Sequence, residues 1–205
     1  MGRTDSNESR TKSPVKYYVS FSGETGAFTY WDGEKNVQLE DLDLIMLDTR
    51  ASISGWSDAN NARIFSGYFR STKDKVAVRC GNKDLMEGSY AVDKEKIKAA
   101  GGKFQTNVFA LADINGDWTL VNLQMSSSSL MAWTSFVDEN KLGTIYKSLI
   151  RVSKGPQEKK GRVLFFKPSF ALEALPDDLA TTADNVYKNT LKPYLEQFDQ
   201  EPVAV

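Results

Sequence analysis

The pair Asn115-Gly116 constrains this chain more than any other two residues, because it separates two runs rich in β-branched, aromatic and aliphatic residues, Phe104–Leu111 and Trp118–Met125. Asn-Gly is the preferred filling of a type I′ turn, whose central residues both take positive φ, so the two runs read as the strands of a tight hairpin. The hexapeptide Ala112–Asp117 also sets Asp113, Asn115 and Asp117 at alternate positions, as a calcium loop does. The twelfth position counted from Asp113 is Gln124, where calcium coordination needs a bidentate Glu, so calcium is rejected and no cofactor is expected.

Around this hairpin the chain divides into recognisable elements. Residues 1–14 are polar, end in Ser13-Pro14 and read as a disordered arm, ahead of a domain over 15–172 and an acidic tail over 173–205. Tyr17–Phe21 and Ala27–Trp31 form a small hairpin with six rings in fifteen residues, Tyr17, Tyr18, Phe21, Phe28, Tyr30 and Trp31, for which core packing and base stacking are the two competing roles. Leu39–Gly55 alternates most clearly at Leu42, Leu44 and Met46 and predicts a long strand over 42–55. Residues 81–103 predict a short strand at Ser89–Val92 and a lysine-rich helical turn at Asp93–Ala100, stopped by Gly101-Gly102, together a surface insertion. Ser126–Ser129 can cap a helix whose Leu130, Trp133, Thr134 and Val137 follow amphipathic spacing, ending near Asn140. In the tail, Asp177, Asp178, Asp184, Glu196, Asp199 and Glu201 face only Lys188 and Lys192, and a helix is expected over Asp184–Leu191, fraying after Pro193.

Familiar catalytic chemistries find little support. The chain has no histidine and a single cysteine, Cys80, which removes the commonest general base, an internal disulfide and any Cys-rich zinc site. It holds no Walker A loop, no H-E-x-x-H and no G-x-G-x-x-G, so no enzyme activity is expected. Asp41 and Asp43 fall on one face of the predicted strand and Asp48 on the other. No apolar run approaches the roughly 20 residues that a membrane helix needs, and the N-terminus lacks a signal-peptide core, so a soluble protein without a membrane partner is expected.

Charge is distributed unevenly although the formal net charge is −1. Thr144–Pro168, read as two strands and a Gly/Pro turn, carries Lys147, Arg151, Lys154, Lys159, Lys160, Arg162 and Lys167, with Lys141 just before it and Glu158 the only acid. Alternation puts Lys147 and Arg151 on one face and Tyr146, Ile150 and Val152 on the other. A second basic stretch interleaves Arg63, Arg70, Lys73 and Lys75 with Phe65, Tyr68 and Phe69, after Trp56. Cations that offset phosphate charge and rings that stack on exposed bases are the ingredients of a single-stranded nucleic-acid site. The candidate phosphate contacts are Lys147, Arg151, Lys154, Lys159, Lys160, Arg162, Arg63 and Arg70, and the candidate stacking groups Trp56, Phe65, Tyr68 and Phe109.

In order, the main body is a long strand, an insertion, a hairpin, a helix and a second hairpin, the layout of an OB-fold-like five-stranded Greek-key barrel within a mainly β protein with minor α content. With ASISGWSDANNARIFSGYF, GGKFQTNVFAL and the basic hairpin, residues 15–170 resemble the single-stranded-DNA-binding proteins of tailed bacteriophages. The resemblance implies a protein that coats exposed DNA without sequence preference during replication or recombination, in the host cytoplasm, as a monomer or homo-oligomer. Such proteins often end in a strongly acidic tail with a terminal aromatic that recruits replication proteins of phage or host; here the end is FDQEPVAV, a faint version in Phe198, Asp199 and Glu201. The competing expectation is a structural or adaptor component of virion type that self-associates, binds no nucleic acid and keeps its lysines for solubility.

Overall fold

The structure is a computed structural model that describes residues 12–199; most of the predicted N-terminal arm, residues 1–11, and the end of the tail with Glu201 lie outside the described residues. β1 (Tyr17–Phe21), β2 (Phe28–Trp31) and β3 (Asn36–Leu39) are followed by the longest strand, β4 (Asp41–Ser57). Next come β5 (Ala62–Ser66), β6 (Lys75–Cys80), β7 (Lys83–Ser89) and α1 (Tyr90–Ala99), which lead into β8 (Gly102–Ile114) and β9 (Asp117–Met125). The chain continues through α2 (Ser127–Asn140), the one-turn α3 (Leu142–Ile145), β10 (Ser148–Lys160) and β11 (Val163–Ala174). It closes with α4 (Asp177–Val186), a π turn at Tyr187–Leu191 and α5 (Lys192–Asp199).

The described chain is mainly β, and one open, mixed sheet of eleven strands stands in place of the expected five-stranded barrel. Its path is β3-β2-β1-β9-β8-β4-β5-β6-β7, with β10 paired to β4 and β11 to β10. Two segments outside the five expected strands, the N-terminal hairpin and the insertion, cause the difference. β1 pairs in parallel with β9 from Tyr17↔Val121 to Ser20↔Gln124, because Val19 and Phe28 are fully buried in the main core and hold the N-terminal hairpin to the sheet edge. The insertion supplies β5–β7, which extend the sheet from the far end of β4 over their own core of Ile53, Ile64, Val78 and Ile97.

The central hairpin forms as its turn chemistry dictates. Asn115 and Gly116 have φ of 58° and 90°, and the Gly116 N–H donates to Asp113 Oδ1 at 2.6 Å. β8 then pairs with β4 from Ala112↔Leu44 to Gly102↔Gly55. One face of this ladder, with Leu44, Met46, Val108, Ala110 and Leu123, is covered by Trp133 and Phe136 of α2 and by Ile150 and Val152 of β10. The opposite, outer face carries Ile45, Leu47, Phe109, Leu111 and Leu120 at one end, packed under Leu191, Tyr194 and Leu195. A bulge between Met46 and Asp48 sets Leu47 and Asp48 both on that outer face.

Two local expectations are corrected. Thr144–Lys147 is helix and turn, not strand, and the second hairpin begins only at Ser148, because Lys141 breaks α2 with φ of 60° and Ile145 turns into the core. The tail does not fray after Pro193: helix runs from Asp177 to Asp199 through the π turn. Pro193 follows directly on the π turn, whose shifted hydrogen-bond ladder accommodates the missing N–H, and Tyr194 and Leu195 beside it are buried.

Candidate nucleic-acid interface

Past the C-terminal helices the outer face of the sheet is open, and strand register decides what stands on it. Trp56 pairs with Arg63, Ser54 with both Phe65 and Lys103, and Phe65 with Arg79, so Trp56, Arg63, Phe65, Lys103 and Arg79 share one face of β4, β5, β6 and β8. The opposite side chains of these strands, Ile53, Ile64 and Val78, are buried, which fixes the register and forces the aromatic and basic set outward. Trp56 is 52% exposed. Arg63 and Lys103 are exposed and make no ion pair among the described residues, whereas Arg79 is held by Asp84 at 3.1 Å.

Beside this row lies a groove of about 320 Å³ lined by Ser54, Trp56, Asp58, Lys103, Gln105 and Ser126, with the backbone of Gly55 and Gly101. Gly101 and Gly55 approach backbone to backbone here: a Cβ on Gly55 would meet the Gly101 carbonyl, so glycine is what lets the insertion return beneath Trp56. Two residues beyond Ser126, the Ser128 hydroxyl donates to the Phe166 carbonyl at 3.4 Å, and the Phe166 N–H donates to the Gly23 carbonyl at 2.7 Å. The groove thus adjoins the base of the β10–β11 arm. Lys154 sits over the Phe166 ring at 3.9 Å and donates to the Thr25 carbonyl at 2.9 Å. Lys159, Lys160 and Arg162 are exposed farther out on the arm.

The remaining predicted residues are packed, paired or placed elsewhere. Phe109 has no exposed surface, and Tyr68 packs edge-on against Phe109, Tyr194 and Phe198, with its phenol accepting a hydrogen bond from Asn122 Nδ2 at 3.2 Å. Burial pushes the Tyr68 hydroxyl far above its ordinary range. Phe109 is therefore a core residue, and Tyr68 is half-buried with its ring packed among the three others. Arg151 faces outward as alternation predicts, but Asp43 grips it bidentately at 2.9 Å and Glu173 adds a contact at 3.1 Å. These partners raise its already high pKa, chiefly through the Asp43 hydrogen bonds, and its charge is spent within the protein. Arg70 is bound in the same way by Asp199, at 2.7 and 3.0 Å. Lys147 is exposed but lines a separate cleft of about 670 Å³ with Asp48, Arg70, Tyr146 and Tyr187.

A buried polar layer separates the covered half of the face from the open half. Asn107 donates to Ser52 Oγ at 2.9 Å and accepts from Gln105 at 3.0 Å and Asn122 at 3.2 Å. Arg50, also buried, pairs with Asp48 and reaches Asp199 at 3.5 Å. Asp48 Oδ1 accepts from the Thr49 N–H, and the Thr49 carbonyl accepts from Arg50, so side chains cap the edge of β4 between β10 and β5. Burial raises the Asp48 pKa despite Arg50, whereas the Arg70 hydrogen bond lowers that of Asp199.

Sequence reasoning missed Lys103 and Phe166 as members of this region and left the N-terminal rings undivided. Of those six, Tyr17 packs on Tyr30 at 4.6 Å and Phe21 on Phe28 at 5.0 Å, while Tyr18 and Trp31 face solvent. Alternation in β1 and β2 carries that division, since Val19 and Phe28 point to the core. Among the described residues no helix is long and apolar enough to cross a membrane, and no group of three or more Cys, Asp and Glu could hold a metal ion. No protein-family model, no curated protein and no solved structure matches this chain, so the geometry alone carries the reading of the site.

Proposed function

We propose that this chain binds single-stranded DNA without sequence preference, through the open outer face of the sheet and the groove beside it. The observation that carries the reading is the register-locked set Trp56, Arg63, Phe65 and Lys103: an exposed ring, a half-exposed ring and two uncompensated cations on one face, over buried Ile53, Ile64 and Val78. Bases stack on the rings, at about 1–3 kcal/mol per base, while the cations and Lys154 follow the backbone. Every base has a π face and every nucleotide a phosphate, so this chemistry tolerates sequence.

We read the strand order from β4 to β11 as OB-type, which fits the same proposal. β4, β8 and β9 form a meander, α2 follows, and β10 returns to pair with β4 while β11 pairs with β10. In an OB fold the ligand lies on the face of the second and third strands between the loop after the first strand and the loop between the last two. Here those loops correspond to the insertion bearing Arg63 and Phe65 and to the β10–β11 arm. A role in phage DNA replication or recombination is the biological setting that the sequence resemblance adds to the proposal.

Fluorescence anisotropy with labelled oligo-dT and a blunt duplex, each at two salt concentrations, tests it. The expected result is tighter binding of oligo-dT, an affinity that falls steeply with salt and quenching of tryptophan emission. Equal affinity for duplex, or no binding at low salt, would refute the proposal, and a large salt-insensitive oligomer indifferent to DNA would favour the structural-protein alternative.

A further inference from the structure

We infer that the distal half of the β10–β11 arm takes a duplex segment adjoining the single strand, which makes a single-strand/duplex junction the preferred ligand. The inference rests on the single-stranded DNA reading above. It starts from how the arm leaves the body. β10 pairs with β4 only at Ile150–Ser153; after a register shift between Lys154 and Gln157, residues 157–160 pair with 163–166 and with no other strand. The Phe166 N–H, donating to the Gly23 carbonyl, ties the foot of that distal part to the body. Gly161, with φ of 63° at the first central position of the two-residue turn, closes a ribbon whose residues 157–166 pair only with each other.

The ribbon is marked on both faces. Lys160 pairs with Val163 on one face and Lys159 with Leu164 on the other, with Arg162 at the turn between them. Lys159, Lys160 and Arg162 make no ion pair among the described residues, whereas the neighbouring acid, Glu158, is neutralised by Lys167 at 2.7 Å. Val163 is 63% and Leu164 56% exposed. Each face therefore ends in one free cation and one exposed apolar side chain.

That pattern discriminates between ligands. A protein partner docking on one face of the ribbon would select apolar side chains on that face and leave the other polar. A single strand offers one line of phosphates and would be served by cations on one face. A duplex groove offers two phosphate walls, and the major groove, about 12 Å wide, admits a two-stranded ribbon. Lys159 and Lys160 then reach opposite walls, Val163 and Leu164 pack beside them on the same two faces, and Arg162 at the turn extends between the walls toward the base edges. Position agrees: Ser126 lines the groove and Ser128 contacts Phe166, so a strand leaving the groove across Phe166 runs to the foot of the ribbon.

The test compares anisotropy titrations of oligo-dT, of the same oligo-dT carried as the tail of a hairpin duplex, and of the blunt hairpin. Wild-type protein is expected to bind the tailed duplex about tenfold tighter than oligo-dT, and the variant Lys159→Ala/Lys160→Ala/Arg162→Ala to bring that ratio close to one. Val163→Ser/Leu164→Ser is expected to lower the ratio while leaving the oligo-dT affinity unchanged. All five positions are exposed, and circular dichroism checks that the variants fold. A wild-type ratio near one overturns the inference while leaving single-strand binding intact, and so does a triple variant that keeps the preference. Failure to bind oligo-dT refutes the underlying reading instead. Loss of self-association on sedimentation with an unchanged DNA ratio would assign the arm to a second copy of the chain, and also overturns it.

Discussion

The two halves of the outer sheet face carry the same kinds of residue and do opposite things. At one end Phe109 is fully buried and Tyr68 half-buried against Tyr194 and Phe198, and the nearby guanidinium groups of Arg50 and Arg70 are consumed by Asp48 and Asp199. At the other end exposed Trp56 and half-buried Phe65 share a face with Arg63 and Lys103, which no acid pairs among the described residues. An aromatic-basic mixture is thus not itself a binding site: it becomes core where a helix covers it and acids neutralise it, and interface where neither happens. The C-terminal helix pair, not the sheet, draws the line between them.

Substitutions that separate stability from binding put this comparison at risk. Phe109→Ala carries the largest effect: truncating a ring with no exposed surface is expected to cost about 3–5 kcal/mol of folding stability in urea denaturation. Any loss of DNA affinity should then follow the folded fraction. Trp56→Ala should do the reverse, leaving the urea midpoint in place while weakening oligo-dT binding by about 1–3 kcal/mol in anisotropy. Should Trp56→Ala unfold the protein, or Phe109→Ala lose DNA while folded, the two halves have been assigned the wrong way round. Arg63→Ala and Lys103→Ala are each expected to lower the slope of log affinity against log salt by about one, whereas Arg151→Ala, already paired by Asp43 and Glu173, should leave it unchanged.

The smallest effect concerns the seam. The Asp199 pKa is lowered in the folded chain, chiefly by the Arg70 hydrogen bond, so its contribution to stability is present above the ordinary carboxylate range near pH 4 and is lost as pH falls through the folded value. Hydrogen exchange in α5 should accelerate below that range in wild type, and Asp199→Asn should show the faster exchange already at neutral pH. A partly exposed pair of this kind is worth at most about 1 kcal/mol, so global unfolding should barely move.

What the sequence disclosed follows the reach of each signal. The Asn115-Gly116 hairpin, the long strand read as 42–55 and seen as Asp41–Ser57, and the helix read as 126–140 and seen as Ser127–Asn140 obey rules written within a few residues. The basic hairpin was legible for the same reason, and Ile150 and Val152 do face the core. Cover and counter-ions were not legible. Arg70 meets Asp199 across 129 residues and Arg151 meets Asp43 across 108, so neither neutralisation leaves a trace in local spacing. Phe109 and Trp56 likewise sit in similar alternating strands, and only the docking of Tyr194 and Leu195 on the former's end tells them apart. The eleven-stranded sheet escaped prediction because the parallel β1–β9 pairing depends on burying Val19 and Phe28 against residues a hundred positions away.

Ultraviolet cross-linking of a photoreactive single-stranded oligonucleotide, with the adducts mapped by mass spectrometry, tests the central claim most directly. Adducts are predicted on the peptides that carry Trp56 and Phe65, with Phe166 as the neighbouring site, and none on Phe109 or Tyr68. Adducts confined to other surfaces, or efficient labelling of the covered half of the face, would contradict the account.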